Sequence, residues 1–245
     1  MNGAVSDGRR APQTDSRRAL GGDGRRPWLL AIDTATSRVV VAAADLDGAP
    51  LGASTWEAGR THGASLLPAI GRLTGEANLR RSRIRGVIVG TGPGAFTGLR
   101  VGIATAKALA HELGVPIAGV STGAALLAAS GTGDRGLLLL PAGPNDRLVI
   151  RAGAAAVLLP GGSEPTVEPG DILVALDLDG RAPADAVARG ELARAGFAEA
   201  LVRLGAAKLA AGDADDLARL VPEYVSLPRG VTRESGEVAW SRDRR

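Results

Sequence analysis

Apolar and polar positions in the first part of the chain predict three strands. WLLAID (28–33), RVVVAAAD (38–45) and LGASTWE (51–57) are short apolar or Val-rich runs, separated by the turn signals TATS and LDGAP. Three such runs joined by short turns predict an antiparallel meander. Because few residues before Trp28 are apolar, the ordered part of the chain is predicted to begin there.

The period of the pattern then changes from strand to helix. Between His62 and Ala77 the apolar residues recur at helical spacing, and Thr61 is the expected N-cap. The apolar residues that recur in this way are Leu66, Leu67, Ile70, Leu73 and Ala77.

Two further strand and helix units follow. GVIVG (86–90) predicts a short buried strand, and a helix is expected from about Phe96 to Leu113, stopped by Gly114 and Pro116. PIAGV (116–120) predicts another strand, followed by a short Ala-rich helix to about Ala129.

The resulting order, β-β-β-α-β-α-β, predicts an α/β fold with a mixed sheet and helices on both faces. This order resembles the ribonuclease-H-like lobe of actin-like proteins. LLLLPAG, RLVIRAG, AAVLLPG and ILVALDLD are candidate strands of a degenerate second lobe, and residues 182–211 predict a long helix. The expected organisation begins with a disordered Arg-rich tail (1–27) and a ribonuclease-H-like N-terminal lobe (28–130). A divergent C-terminal lobe (131–228) and a loose charged tail (229–245) follow.

Charge and composition exclude several classes of protein. The net charge is +3, and residues 1–27 contain six Arg and three Asp, so the tail accounts for the whole excess. A neutral body argues against a stand-alone nucleic-acid binder, although the tail could still touch a polyanion. The absence of Cys excludes disulfides and thiolate chemistry. With no signal-like start and no apolar run of spanning length, a cytoplasmic protein with no membrane contact is expected.

The stretch GTGPGAFTGLRVG (90–102) places several glycines between a strand and a helix, as phosphate-binding loops do. No Gly-Lys-Ser/Thr ends it, and the next strand ends in Ser121 and Thr122 without an acid for a ribose, which argues against a dinucleotide site. Two interpretations stay open: a phosphate contact at the start of the helix, and a tight strand-to-helix corner. The candidate nucleotide or phosphate contacts are Asp33, Thr34, Gly92, Gly94 and Thr97.

Asp33 follows the first strand and is the best single candidate for a polar site, because in actin-like proteins this turn faces the nucleotide phosphates. An Asx-turn that holds the hairpin is the alternative role. GVSTG (119–123) matches a nucleophile elbow, but His62 and His111 both precede Ser121, so a hydrolase of that type is not expected. The two histidines lie at opposite helix ends and are not expected to share a metal ion. No catalytic or metal-binding residue is therefore predicted.

The predicted second helix carries small residues at every fourth position. Gly98, Gly102, Ala106 and Ala110 form a stripe along which another helix could approach closely. Packing within the chain is one interpretation, and docking of a second polypeptide is the other. The docking interpretation requires that the stripe is not covered by the chain's own sheet.

Four stretches together resemble the TsaB (YeaZ) family: AIDTATSRVVVA (31–42), THGASLLPAIGRL (61–73), GTGPGAFTGLRVGIATAKALA (90–110) and GVSTGAALLA (119–128). The third is close to a family signature of the form GPGSFTGLRIG, with Ala95 where Ser is usual. Beyond about residue 130 only PEYV (222–225) resembles the family, and PAGPNDR stands where an Asp-Ala-Arg element is usual.

The resemblance implies a non-catalytic subunit with an actin-like fold. It implies pairing with the paralogue TsaD through the first two helices, here with Leu66, Leu67, Ile70, Leu73 and the small-residue stripe as the interface. With TsaE, ATP and a metal ion, such a complex transfers a threonylcarbamoyl group to adenosine 37 of tRNAs that read codons beginning with A. This chain would need no cofactor itself and would meet tRNA only indirectly, and a homodimer through the same helices is the alternative assembly.

Two enzyme hypotheses compete with this interpretation. One is an ATP-dependent kinase or hydrolase of the actin-like class that uses Asp33 and the 90–98 loop. The other is a glycoprotease-like (M22) protein, against which the missing metal ligands argue.

Overall fold

The structure, a computed structural model, describes residues 25–58, 62–225, 231–234 and 237–240. Its larger sheet has the order β3-β2-β1-β4-β5, with β1 antiparallel to β2 and parallel to β4. These strands are β1 (Trp28–Asp33), β2 (Arg38–Ala44), β3 (Pro50–Glu57), β4 (Ile84–Gly92) and β5 (Ile117–Ser121). The meander and the two parallel additions predicted from the sequence are confirmed.

Three helices connect or follow these strands, at the places that the apolar period predicts. They are α1 (His62–Glu76), α2 (Phe96–Leu113) and α3 (Thr122–Ser130). The helices α1 and α2 cover one face of the sheet, where Leu66, Ile70 and Ile103 join a buried core. Thr61 lies outside the described residues. Gly114 ends α2 in the left-handed conformation, which glycine commonly adopts at the end of a helix because it has no Cβ.

The second sheet repeats the start of the first. Its order is β8-β7-β6-β9, with β6 antiparallel to β7 and parallel to β9. The strands are β6 (Gly136–Ala142), β7 (Asp146–Arg151), β8 (Val157–Leu159) and β9 (Ile172–Ala175). A meander followed by one parallel strand is therefore present in both lobes, and the second lacks a helix between its third and fourth strands.

A long helix, α4 (Ala184–Ala210), packs between the two sheets together with α3. Phe197 and Leu201 lie in the shared core, beside Ile88 of the first sheet and Leu138 of the second. Gly190 lets the helix approach the second sheet, since a Cβ there would lie 1.9 Å from the carbonyl oxygen of Ala175. The helix predicted at 182–211 is thus the element that joins the lobes.

In place of the missing helix, the segment 160–171 is held by two arginines of β7. Arg151 forms a two-pronged ion pair with Asp171, at 2.7 and 2.8 Å, and donates to the carbonyl of Thr166. Arg147, which is buried, donates to the carbonyl of Ser163. These charge-assisted contacts fix a stretch that has no regular hydrogen bonding of its own.

Replacing Arg151 with Met should release this segment. The variant keeps the aliphatic stem of the side chain but loses both hydrogen bonds to Asp171, so segment 160–171 should open more often. We expect faster cleavage within 160–171 under limited proteolysis, with cleavage elsewhere unchanged. Arg203→Met, which changes an exposed arginine of α4, is the control. Equal rates in both variants would argue against the pinning role.

The chain ends lie mostly outside the described residues. Of the tail expected at 1–27, the structure describes only residues 25–27. Within 229–245, where a loose charged tail is expected, β10 (Val231–Glu234) and β11 (Glu237–Trp240) pair as an antiparallel hairpin. The remaining residues of that stretch are outside the described part.

Candidate functional site

The turn after β1 is embedded in the glycine-rich stretch that begins at Gly90. The backbone N–H of Ala95 donates to the carbonyl of Ala35 over 2.7 Å. The hydroxyl of Thr34 donates to the carbonyl of Gly98, also over 2.7 Å. The stretch that resembles a phosphate loop therefore surrounds a turn of the same chain.

The contact between the turn after β1 and the glycine-rich stretch is called the junction below. Asp33 is fully buried in this junction and accepts hydrogen bonds there. Its carboxylate accepts the Ala35 N–H at 2.8 Å, which makes an Asx-turn, and the Thr122 hydroxyl at 2.6 Å. The Thr122 hydroxyl also accepts the N–H of Gly92, so a single buried network joins β1, β4 and α3. Burial raises the pKa of Asp33 to about 6, although both hydrogen bonds act to lower it.

The glycines are required because the turn leaves no room for side chains. A Cβ on Gly90 would lie 1.7 Å from a carboxylate oxygen of Asp33, and one on Gly94 would lie 2.1 Å from the Ala35 carbonyl oxygen. A Cβ on Gly98 would lie 2.0 Å from the Thr34 carbonyl oxygen. Of the two interpretations of the stretch, the tight corner explains these glycines directly.

The five candidate phosphate contacts do not meet at one surface. Asp33 and Thr34 are buried in the junction, and Gly92 is buried beneath it. Thr97 is exposed in the first turn of α2 and does not line the cleft between the lobes. Gly94 alone lines the cleft between the lobes. A ligand in the cleft could not reach the Asp33 carboxylate without displacing Thr122 or Ala35.

The cleft itself has a volume of about 640 Å³ and lies between the turn after β1 and the turn that joins β6 to β7. Small and apolar groups form most of its wall, and the acidic residues Asp146 and Asp177 also line it. Residues 35–37 and 93–96 contribute one side, and residues 140–144 the other. This wall contains no Lys or Arg, so it offers little attraction to a phosphate.

A polar network bridges the lobes at the edge of this cleft. The Asp177 carboxylate accepts the Ser37 hydroxyl at 2.7 Å and the guanidinium of Arg194 at 2.6 Å. Burial opposes ionisation of Asp177, but these hydrogen bonds hold its pKa below its usual value. Asp177 is thus occupied in holding the first turn to α4.

The small-residue stripe of α2 faces the chain's own first turn and sheet. Gly98 and Gly102 are buried, Ala106 is 0 % exposed and Ala110 is 1 % exposed. A Cβ on Gly102 would lie 2.1 Å from the Thr34 hydroxyl oxygen. The prediction that this stripe docks a partner is therefore wrong, because the stripe already packs against β1, β4 and the turn between β1 and β2.

The predicted interface residues of α1 are mostly buried as well. Leu66, Ile70 and Leu73 belong to the core between α1 and the sheet, and Leu67 alone is largely exposed, at 58 %. Amphipathic spacing identified the buried face of the helix, and a partner can reach only the opposite face.

The outward faces of α1 and α2 carry a different set of small residues. Gly71 and Gly75 of α1 are exposed, and a Cβ on either would meet nothing within 4 Å. Ala104 and Ala108 of α2 are exposed on the same side of the sheet. With Leu67, these four residues define what we call the outer small-residue face.

Ser121 has a local structural role. Its hydroxyl donates to the carbonyl of Gly92 at 3.1 Å and accepts the N–H of Ala124 as the N-cap of α3.

Within the described part of the chain, no group of three His, Cys, Asp or Glu side chains is placed to hold a metal ion. In the same residues, no helix is both long enough and apolar enough to cross a bilayer.

Comparison with known proteins agrees with this architecture. The family model TsaD, described as tRNA N6-adenosine threonylcarbamoyltransferase, matches residues 52–159. An uncharacterized protein of Mycobacterium tuberculosis is 42 % identical over 95 residues, which cover 38 % of this chain and 44 % of the relative. The TsaB protein of Escherichia coli, named for tRNA threonylcarbamoyladenosine biosynthesis, is 37 % identical over 94 residues, covering 38 % and 40 %. The solved structure of YeaZ from Pseudomonas aeruginosa superposes with a TM-score of 0.60 at 24 % identity and covers 81 % of this chain and 99 % of that one.

The chain is similar to TsaB (YeaZ) proteins in sequence over part of its length and in fold over most of it. The similarity in fold to YeaZ extends through both lobes. The chain matches less than half of the length of these curated relatives, and the TsaB name is the name of the relative.

The segment PEYV (222–225), which resembles TsaB sequences, packs against the glycine-rich stretch and the start of α2. The N–H of Glu223 donates to the carbonyl of Thr91, and Tyr224 stacks on Phe96 with ring centroids 5.0 Å apart. Arg100 lies over the Phe96 ring and donates to the Tyr224 hydroxyl at 3.0 Å. The C-terminal segment is therefore clamped to the start of α2. Nothing in the hydrophobic pattern predicted this contact, because it joins residues 124 positions apart.

Proposed function

We propose that this chain is a non-catalytic partner subunit in tRNA threonylcarbamoyladenosine biosynthesis. It pairs with a TsaD-like paralogue and works with a TsaE-like ATPase, while ATP and a metal ion serve the complex. The similarity to TsaB proteins and the match to the TsaD family model support the pathway. A homodimer through the same surface is the competing assembly.

The use of Asp33 supports a non-catalytic role. In an actin-like enzyme the turn after the first strand must reach phosphates or their metal ion, which requires an accessible carboxylate. Here both oxygens of that carboxylate are engaged inside the protein. The hydrogen bonds of Asp33 and Thr122 instead join β1, β4 and α3.

The single observation that carries the pairing is the pair of exposed glycines in α1. A glycine inside a helix costs about 1 kcal/mol relative to alanine, because it loses more backbone freedom on folding. Such a cost is usually offset by a close approach of neighbouring atoms, yet no described residue lies within 4 Å of a Cβ placed on Gly71 or Gly75. A helix of a second subunit that packs on the outer small-residue face gives these glycines a role.

Pairing should therefore depend on the outer small-residue face and not on the buried stripe. The variant Gly75→Leu/Ala108→Leu adds bulk on this face where the isolated chain has free space, so it should stay folded. We expect at least a tenfold loss of affinity for a purified TsaD homologue, measured by size-exclusion chromatography and calorimetry without RNA.

A matched control places the same bulk on another exposed helix face. Ala195→Leu/Ala207→Leu changes two exposed alanines of α4 and should pair normally. Normal pairing of the α1/α2 variant would remove the outer small-residue face from the proposal. Failure of the unmodified chain to pair would contradict the subunit role itself, and a concentration-dependent dimer of the chain alone would favour the homodimer.

A further inference from the structure

We propose that Arg100 is the charged anchor of the pairing surface and that it binds a carboxylate on a helix of the partner subunit. The proposal rests on the proposed function for the identity of that partner, a TsaD-like paralogue. It adds to that function the residue that positions the partner helix and the chemistry of the group that this residue meets.

Arg100 lies in line with the outward-facing small residues of α2. Arg100, Ala104 and Ala108 occur at every fourth position of the helix, and all three are exposed. Residues four apart in a helix lie on the same face, one turn after the other. A helix that packs on the outer small-residue face therefore passes within reach of the Arg100 side chain.

The Arg100 side chain is held by two aromatic rings. Its guanidinium carbon lies 3.9 Å from the centre of the Phe96 ring, and its Nε–H donates to the Tyr224 hydroxyl at 3.0 Å. The two rings contact each other, with centroids 5.0 Å apart. Because these contacts restrict the rotamers of Arg100 before a partner arrives, less side-chain entropy is lost when it binds one.

The groups that hold Arg100 differ from those that hold other arginines. Arg151, Arg189 and Arg194 each donate to a carboxylate. Arg100 is held by a phenol and a ring face, and within the described residues it forms no ion pair. Its bond to Tyr224 uses Nε, so the two terminal nitrogens remain for another acceptor. A guanidinium edge of this kind matches a carboxylate, which it binds with two parallel hydrogen bonds.

The isolated fold gives a reason for the aromatic contacts of Arg100 but not for its charge. The first turn of α2, which directly precedes Arg100, contains no acidic residue, and a cation near the start of a helix gains nothing from the helix dipole. The Glu223 carboxylate, next to Tyr224 in the chain, does not compensate the charge either. Burial raises the pKa of Glu223, whereas a neighbouring guanidinium would lower it.

The surroundings of Arg100 favour a protein partner over a nucleic acid. Ala104 and Ala108 continue from Arg100 along the helix, and small residues allow the backbone of another helix to approach closely. A surface that binds nucleic acid presents several cations to successive phosphates, and these two alanines offer none. Arginine and tyrosine are also the residues that most often dominate the binding energy of protein interfaces.

The test measures pairing of the full-length chain with a purified TsaD homologue by calorimetry, without RNA and at two salt concentrations. Arg100→Met keeps an aliphatic side chain over Phe96 but loses the guanidinium. We expect its affinity to fall at least tenfold at about 0.1 M salt and to depend less on salt than that of the unmodified protein. Arg100→Lys keeps the charge without the planar fork and should recover only part of the loss.

Two control variants separate the charge of Arg100 from the aromatic contacts and from net charge. Tyr224→Phe keeps the ring beside Phe96 and leaves Arg100 charged, so pairing should weaken by about threefold or less and keep its salt dependence. Arg203→Met removes one positive charge from an exposed site on α4 and should pair within about twofold of the unmodified protein. Circular dichroism confirms that each variant is folded.

Three results would overturn the anchor role and leave the subunit role standing. The first is normal pairing of folded Arg100→Met. The second is a loss in Tyr224→Phe as large as that in Arg100→Met, which would assign the effect to the attachment of the C-terminal segment. The third is an equal loss in Arg203→Met, which would reduce the effect to net charge. If the unmodified chain does not pair with the homologue, the subunit role and the anchor role both fail.

Discussion

Gly98→Ala is expected to destabilise the protein by about 3 kcal/mol or more, although alanine is the better helix former. The added Cβ would lie 2.0 Å from the carbonyl oxygen of Thr34, and a backbone atom cannot move aside as a side-chain tip can. The shift would also disturb the hydrogen bond from the Thr34 hydroxyl to the Gly98 carbonyl. Urea unfolding followed by circular dichroism measures the effect.

The matched control is Gly75→Ala in the neighbouring helix. Its Cβ meets nothing within 4 Å, so the substitution should stabilise the isolated chain by about 1 kcal/mol. The same chemical change thus has opposite signs in two adjacent helices. Equal effects at the two positions would show that the turn between β1 and β2 does not fill the glycine-rich stretch as described.

The contrast between these glycines shows what the sequence could and could not predict. Spacing at every fourth residue correctly identified a flat flank on α2 at Gly98 and Gly102. It could not tell whether the neighbour is the chain's own turn or another subunit, because both require the same small residues. Gly71 and Gly75 interrupt an amphipathic helix without forming a clear stripe, so only their surroundings in the structure showed them to be without neighbours.

The fold was more predictable than the site for a physical reason. The strands of the first lobe and α1 to α4 bury continuous apolar faces, and periodicity reports burial directly. The candidate site depends on long-range pairs such as Thr122 with Asp33 and Tyr224 with Phe96, which no local period encodes. The sequence allowed two roles for Asp33, a ligand contact and an Asx-turn, and only the distances separate them.

The burial of Asp33 predicts that the free energy of unfolding falls as the pH rises toward neutrality. Burial raises the pKa of Asp33 from 3.8 to about 6, so between these values the folded protein binds a proton that the unfolded chain does not. The free energy of unfolding should therefore fall as the pH rises through this range, by about 2 kcal/mol between about pH 4.5 and 7.5. Urea titrations at the two pH values measure the difference.

The other shifted aspartates do not obscure this signal. The pKa values of Asp171, Asp177 and Asp185 are lowered, so the stability that these groups contribute is lost only as the pH falls below the ordinary value of 3.8. Asp33→Asn removes the titrating proton and can keep the acceptor for the Ala35 N–H, so most of the pH dependence should disappear in this variant. Glu223, whose pKa is also raised by burial, is present in both proteins and cancels in the comparison. If both proteins lose stability equally between the two pH values, the Asp33 carboxylate is not buried in the way that the junction requires, and its release toward the cleft would again make it a candidate for ligand binding.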